Sequence, residues 1–469
     1  MLRGIGSAFE AFFRATAPDP FVLAVLLTVV VFVAAFVTTG RSPTEILSAW
    51  GGRAGLWSLL AFTMQMVLIL VTGHALAATP AVRGLIRRVA RQPRTGAQAA
   101  GLVALGACVA ALLNWGLGLI VGALLARDVG ASCRERGVPH HYPLLVASGY
   151  VGLMLWHGGL SGSAPLKTTT VEDLNELLGP ALAAAVGPVP FTSTVLSVPN
   201  LVVSGGLLLL LPVLAAMLAP RGAEAQGIEA FPGAAPEEPV GAAPVAHDDG
   251  PEEAAAAPLN VPERLSASPV TMLLIALPLA SALALDLWAN GLASLNPNTI
   301  NLAFLAAGLV GHGSLGRYAE AIEEAARGAA GIVLQFPFYA GIMGVMRETG
   351  LAAAVATFLT GLAPDGLYGV VTFVSAGLVN LFVPSGGGQW AVQGPIALEA
   401  ALRLGLEPAQ VVMAVAYGDQ CTNMLQPFWA LPLLAITGVQ ARDIIGLTAL
   451  MMLFGGAWMI GGILLWPLL

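Results

Sequence analysis

Uncharged apolar runs of bilayer length recur from one end of the chain to the other, and this recurrence limits the fold more than any single motif. A helix needs about 20 residues to cross roughly 30 Å of hydrocarbon. Lipid offers no partners to backbone N–H and C=O groups, so such runs fold as helices. The 469 residues are 57% hydrophobic and only 10% charged, with a mean hydropathy of +0.81. A soluble protein keeps its surface wet with roughly a quarter of its residues charged, which excludes a large soluble core. The first run, 21–39, is too long for a secretory signal and lacks a small-residue cleavage site before a soluble domain. The chain is expected to be an all-α polytopic membrane protein.

Crossings are expected at about 21–39, 56–78, 142–166, 195–218, 270–288, 299–315, 328–346, 408–437 and 443–466. Two further runs, 96–126 and 366–398, are too long for one span and too short for two spans with a loop. Each is expected to form a re-entrant helical hairpin. Because cytoplasmic loops collect Lys and Arg, charge tests the first of these. If 96–126 enters and leaves on one side, 15 cationic residues fall inside, against five outside (Arg41, Arg53, Lys167, Arg347 and Arg403). A single crossing there gives 10 against 10. The hairpin is favoured, with the N-terminus cytoplasmic. For 366–398 the count is silent, since a full span merely exchanges Arg403 and Arg442.

Symmetry argues for the second hairpin. Asn114 and Asn380 are 266 residues apart; Tyr150 and Tyr417 are 267 apart, as are Pro165 and Pro432. An internal repeat is the simplest account. The expected layout is an N-terminal membrane repeat over 1–218, a linker over 219–268, a connecting transmembrane helix over 269–298 and an inverted C-terminal repeat over 299–469. Inverted repeats of this type place substrate near the midplane, between discontinuous helices.

The net charge of −7 belongs to the linker, where nine acidic residues face two arginines. That segment is rich in Ala, Pro and Glu and too poor in aromatic and β-branched residues to order itself, so it is expected to be a flexible cytoplasmic connection. Cys108, Cys133 and Cys421 are too scattered for a metal site and are expected to pack as small hydrophobes. No cofactor motif occurs, and no nucleic-acid partner is expected.

Four interrupted segments carry the candidate chemistry. In "VPSGGGQWAVQGP", Pro384 is expected to end one half-helix, and Gly386, Gly387 and Gly388 to form a tight turn with uncovered N–H groups. Ser385, Gln389 and Gln393 add neutral donors. The N-terminus of the returning half-helix carries partial positive charge, which attracts a carboxylate without burying a cation. The "NWGLGLIVG" hairpin offers Asn114, Gly116 and Gly118 at the equivalent tip. "WHGGLSGSAP" supplies Ser161 and Ser163, and "YGDQCTNMLQPFWALP" supplies Asp419, Asn423 and Gln426. Two readings stand for each glycine motif, close helix packing or ligand binding; recurrence with polar residues in both halves favours binding. Asp419, deep in an apolar run, is the candidate for ion or proton coupling, against a purely structural hydrogen bond. His157 and His74 are weaker candidates, since a backbone carbonyl satisfies a neutral imidazole. Trp115, Trp390 and Trp429 either shape a small apolar pocket or simply pack. The cluster Arg83, Arg87, Arg88, Arg91 and Arg94 reads as an interfacial helix facing anionic lipid.

The segments "PDPFVLAVLLT", "LLAFTMQMVLILVTGHALA", "NWGLGLIVGAL", "QFPFYAGI", "VPSGGGQWAVQGP" and "QPFWALPLL" resemble the bacterial short-chain fatty acid transporter family, the acetoacetate and butyrate uptake type. The resemblance runs from about Pro18 to the last span and leaves out mainly the acidic linker; Val383 to Pro395 is its most specific part. It implies membership of the wider ion transporter superfamily, with inverted repeats, opposed re-entrant hairpins and usually a dimer. It further implies uptake of a small monocarboxylate with H⁺ or Na⁺ across the bacterial inner membrane, with Asn114, Asn380 and Ser385 to Gly388 as the anion site.

Two rivals remain. Gly159 to Gly162 spell G-x-S-G, the nucleophile pattern of rhomboid-type intramembrane proteases, for which His74 or His312 would be the base. A passive channel for small anions or solutes would share the glycine-lined path without needing a coupling carboxylate.

Overall fold

Helices form where the apolar runs predict them, and no strand occurs among the described residues. The computed structural model describes residues 2–16, 18–220, 225–231, 233, 260–291, 297–364 and 366–468. Most of the expected linker therefore lies outside the described residues.

The first half runs α1 (Leu2–Thr16), α2 (Pro20–Thr39), α3 (Pro43–Gly51), α4 (Leu60–Ala78), α5 (Pro80–Ala90), α6 (Gly96–Leu113), α7 (Trp115–Glu135), α8 (Tyr142–Tyr150), α9 (Ser163–Leu166), α10 (Val171–Val186) and α11 (Val198–Leu218). After α12 (Val261–Ala267) and α13 (Pro269–Asn290) come α14 (Pro297–His312), α15 (Leu315–Ala326), α16 (Ala330–Glu348) and α17 (Leu351–Gly361). The chain ends with α18 (Tyr368–Asn380), α19 (Gly386–Arg403), α20 (Pro408–Thr422), α21 (Pro427–Thr437) and α22 (Ala441–Leu465). Local chemistry sets many of these boundaries. Pro20, Pro43 and Pro80 occupy first turns, where a missing N–H costs nothing, and Asp19, Ser42 and Thr95 cap orphan donors with their side chains.

Nine segments among the described residues are long and apolar enough to cross a membrane. The set counts both α6 and α7 and omits α14 and the α20–α21 pair, so length alone does not separate spans from hairpins. The fold-back is read from contacts instead. A methyl group on Gly118 would overlap Ala111, and one on Gly106 would overlap Leu125, so α7 runs antiparallel along α6 from a one-residue joint at Asn114. Helix α7 extends nine residues past the expected end at 126, but that extension carries Arg127, Asp128, Arg134 and Glu135. Its apolar part, 115–126, is only about 18 Å long at 1.5 Å per residue, roughly half a bilayer.

The second hairpin folds the same way. Gln389 Nε2 donates to the Ala376 carbonyl at 2.8 Å, Gln393 Nε2 to Ser375 Oγ at 3.1 Å, and Tyr368 OH to the Ala397 carbonyl at 3.0 Å. These bonds ladder α19 antiparallel along α18.

From α2 and from α14 the two halves run in a similar order of long helix, short helix, long helix, short helix, hairpin, interrupted helix and long helix, except that α10 is inserted before the last long helix of the first half. The halves also interlock. Helix α2 packs on α16 and α4 on α14, where Gln65 Nε2 reaches Asn298 Oδ1 at 2.9 Å and Asn301 Nδ2 reaches the Gln65 carbonyl at 3.1 Å. Helix α11 packs on α22, where Trp458 Nε1 donates to the Val203 carbonyl at 3.0 Å.

Two helix backbones come especially close where α7 meets α8. A methyl group on Gly122 would overlap the Gly149 carbonyl oxygen. Gly122→Ala is therefore expected to destabilise the fold by on the order of 3 kcal/mol, the upper end for overpacking a tight core. Thermal unfolding in detergent should show a clearly lowered midpoint; an unchanged midpoint would mean this crossing is not close-packed.

Candidate functional site

Breaking a helix leaves orphan backbone groups that water cannot reach, and here the two interrupted segments supply partners to each other. The first break follows α8 with two 3-10 turns, Val151–Met154 and Trp156–Gly158; the second is Asn423–Leu425 followed by Gln426. Gln420 Oε1, from the second segment, accepts from the backbone N–H groups of His157 at 3.0 Å and Gly158 at 3.3 Å. In return, the Tyr150 hydroxyl faces the carbonyls of Asn423 at 2.8 Å and Gln426 at 2.9 Å. Asn200 Nδ2 donates to the Gly158 carbonyl at 2.9 Å, and its Oδ1 accepts from the Tyr417 hydroxyl at 2.8 Å.

Both hairpin tips reach the first break. At the first tip Asn114 Oδ1 caps α7, accepting from Gly116 N at 2.9 Å and Leu117 N at 3.2 Å, while Trp115 N donates to Ser161 Oγ at 3.1 Å. The Leu160 N–H is held by the Leu112 carbonyl at 2.8 Å. At the second tip Ser385 caps α19, its Oγ accepting from Gly388 N at 3.1 Å. A methyl group on Gly386 would lie 2.7 Å from Trp156 Cη2 and 2.9 Å from His157 Nε2. Six residues, Trp156 to Ser161, thus touch the N-termini of both returning helices.

The glycine turn expected at the second tip is not what forms. The turn consists of Leu381 to Pro384, and Gly386, Gly387 and Gly388 make the first turn of α19, none of them with positive φ. The small side chains serve proximity rather than backbone freedom: Gly386 admits Trp156 and His157, while nothing lies within 4 Å of a methyl group on Gly387. The N–H groups of Gly386 and Gly387 have no acceptor among the described residues.

The remaining candidates divide by what they touch. Asn380, at the end of α18, points Nδ2 at the Asp419 carbonyl (2.7 Å), Asn423 Oδ1 (2.9 Å) and Thr422 Oγ1 (3.0 Å), tying the hairpin to the second interrupted helix. Gln426 Nε2 donates to the Asn380 carbonyl. Gln389 lies inside the hairpin and Gly118 at the α6–α7 contact, so both brace the tips rather than form them. Ser163 is half-buried at the start of α9. Buried polar atoms without a protein partner gather at the breaks: Trp156 Nε1, His157 Nε2, Asp419 Oδ2, Asn423 Nδ2, Gln426 Oε1 and Asn114 Nδ2.

Asp419 is 1% exposed, and no other Asp, Glu, Lys or Arg is buried among the described residues. Its Oδ1 lies 3.4 Å from His157 Nδ1. Trp115, Trp429, Phe62, Phe336 and Phe428 form one aromatic cluster beside the tips, with the Trp115 and Trp429 rings 5.0 Å apart and Phe336 stacked on Phe428 at 4.1 Å. Further along α4, α7 and α21, Arg83, Arg87, Arg91, Arg127 and Arg134 line a cavity of about 640 Å³ with His74. Arg83, Arg87 and Arg91 thus line one side of an open pocket, with Arg87 and Arg91 exposed. His312 Nε2 meets the Ala75 carbonyl at 2.8 Å, and Ser161 Oγ is occupied as the cap of the Trp115 N–H, which gives the protease reading no support. All three cysteines are buried and free.

Gln420 and Asn200 were missed by sequence reasoning. Gln420 adjoins Asp419 in the quoted motif and Asn200 stands in the first turn of an apolar helix; both were legible as polar residues in apolar runs.

A buried polar network at two helix breaks, among nine described helical segments long and apolar enough to cross a bilayer, belongs to a multi-pass helical membrane protein. The profile of the family described as Short chain fatty acid transporter matches residues 1–466, and the chain belongs to that family. Two curated relatives carry the name "Putative short-chain fatty acid transporter". The one from Escherichia coli K12 is 39% identical over 96% of each chain, and the one from Haemophilus influenzae Rd is 37% identical over 97% of each. Among solved structures, the Alcanivorax borkumensis YdaH transporter aligns with a TM-score of 0.42 at 16% identity, over 96% of this chain and 97% of that one. The Neisseria gonorrhoeae MtrF structure aligns with a TM-score of 0.37 at 14% identity, over 97% of both chains.

Proposed function

We propose that the protein is a secondary active transporter that carries short-chain monocarboxylates, of the acetoacetate or butyrate kind, across the bacterial plasma membrane by symport with H⁺ or Na⁺. The observation that carries this reading is the convergence of two helix N-termini, those of α7 and α19, on the break from Trp156 to Ser161, with the buried carboxyl group of Asp419 beside it. Helix N-termini and amides attract one negative charge. With no buried Lys or Arg among the described residues, the site suits a monocarboxylate better than a di- or tricarboxylate. The aromatic cluster beside the tips supplies apolar walls for a chain of a few carbons. In this reading the repeats are inverted, the hairpins re-enter from opposite faces, the N-terminus and linker are cytoplasmic, and the working unit is a homodimer, as the family resemblance implies.

Uptake of labelled butyrate or acetoacetate into proteoliposomes, with and without an imposed H⁺ or Na⁺ gradient, tests the function. A carboxylic acid with a pKa of about 4–5 also crosses lipid uncharged, so protein-free liposomes set the baseline. Accumulation above that baseline, dependent on the gradient, is expected. Equilibration without accumulation would indicate a channel, and uptake at the baseline would contradict the proposal.

A further inference from the structure

We infer that His157 is the proton-carrying residue of this site and that its protonation is what admits the carboxylate. The inference rests on the monocarboxylate reading above and names the group that couples the two ions. Its ground is the asymmetric environment of one imidazole. Nδ1 faces two oxygens, the Ala416 carbonyl at 3.2 Å and Asp419 Oδ1 at 3.4 Å. Two acceptors on one side fix the ring proton at Nδ1, which leaves Nε2 of the neutral ring as a lone pair. That Nε2 has no protein partner, although the residue is only 1% exposed, and it lies against Gly386 at the N-terminus of α19. The ring is held there by Trp156, stacked on it at 3.8 Å with a 16° interplanar angle, and by the Gln420 side chain on its backbone N–H.

A lone pair at that position repels a carboxylate, whereas an Nε2–H donates to it. The neutral site therefore disfavours the anion, and one bound proton converts it into a three-donor seat: Nε2–H with the N–H groups of Gly386 and Gly387. Asp419 stabilises the imidazolium from the other side, so the pair holds its charge without a buried Lys or Arg. The balance closes simply. The empty site holds Asp419 ionised and His157 neutral, with one negative charge. Loaded with one proton on Nε2 and one carboxylate, it again carries one negative charge, so each cycle moves H⁺ and RCOO⁻ together with no net charge. On release the proton leaves Nε2, and the restored lone pair expels the acid anion.

The other titratable groups on elements packed against this turn are engaged elsewhere. The Tyr150 hydroxyl faces Asn423 and Gln426, that of Tyr417 meets Asn200, and Cys421 Sγ reaches the Met452 carbonyl. Cys108 is buried in α6. On α19, Glu399 pairs with Arg403 at the far end, and Lys167, just beyond α9, pairs with Asp173. Among the described residues, Asp419 is the one charged group within reach of the ring.

Calorimetric titration of the purified full-length protein with butyrate, repeated in buffers of different ionisation enthalpy, counts the protons taken up. At about pH 8, above the ordinary range of histidine, the wild type is expected to take up close to one proton per butyrate. His157→Gln should bind roughly tenfold more weakly, as for loss of a charged hydrogen bond, with proton uptake near zero. Its thermal midpoint should stay close to wild type. Wild-type binding without proton uptake at any pH, or uptake retained in His157→Gln, would overturn the inference while leaving the transport reading intact. Failure of butyrate to bind the wild type would instead contradict the transport reading itself. Should His157→Gln misfold, His157→Asn, whose amide can still donate to the Ala416 carbonyl from the Nδ1 position, repeats the test with the same expected and contradicting results.

Discussion

Asp419→Asn is expected to abolish gradient-driven accumulation of butyrate in proteoliposomes, reducing it to the protein-free baseline, while exchange of internal for external butyrate persists in part. The substitution keeps the size of the side chain and leaves the main-chain carbonyl that holds Asn380 in place. It removes only the negative charge 3.4 Å from His157 Nδ1. An acidic side chain that is 1% exposed, with Oδ2 unpartnered, is costly to keep in an apolar run, which marks it as functional. Exchange cycles only the loaded site, where the bound carboxylate itself pairs with the His157 imidazolium, whereas accumulation needs the empty site to take up its proton anew without the Asp419 charge. Driven uptake at the wild-type rate would remove Asp419 from the coupling mechanism.

The second large effect separates packing from binding at adjacent glycines. A methyl group on Gly386 meets Trp156 and His157 at 2.7 and 2.9 Å, against rings that cannot easily yield. Gly386→Ala is expected to displace the tip, cost about 1–3 kcal/mol and lower uptake at least tenfold. Gly387→Ala meets nothing within 4 Å, so its thermal midpoint should match wild type, since alanine is also the better helix former. If Gly387 faces the carboxylate, its methyl group intrudes on the ligand instead, and the apparent KM for butyrate should rise about tenfold at unchanged stability. Wild-type kinetics in Gly387→Ala would move the seat away from the α19 N-terminus.

The hairpins were legible in the sequence because an amide in the middle of an over-long apolar run is costly in lipid unless the chain turns there and the amide caps the turn. Asn114 caps the first turn, whereas Asn380 ends α18 and ties it to the second interrupted helix while Ser385 caps the second turn. The role of the three glycines was not legible. Sequence gives a glycine's freedom but not its neighbours, and only the folded chain brings Trp156 and His157 against Gly386. Gln420 and Asn200 escaped for a related reason: each cancels an orphan backbone group at the first break, more than 40 residues away along the chain. The arginine spacing marked α5 as amphipathic, yet spacing within one helix does not reveal that α7 brings Arg127 and Arg134 to the same open pocket.

Everything in the proposed site depends on two hairpins entering from opposite faces of the bilayer, so that both tips meet at the interrupted helices. Single cysteines at Gln92 and Glu135, which flank the first hairpin, and at Leu362 and Leu404, which flank the second, replace residues that are all exposed. The native cysteines are buried. Labelling with a membrane-impermeant maleimide in oriented vesicles should place positions 92 and 135 on one side and positions 362 and 404 together on the other. Finding 92 and 135 on opposite sides would contradict the account.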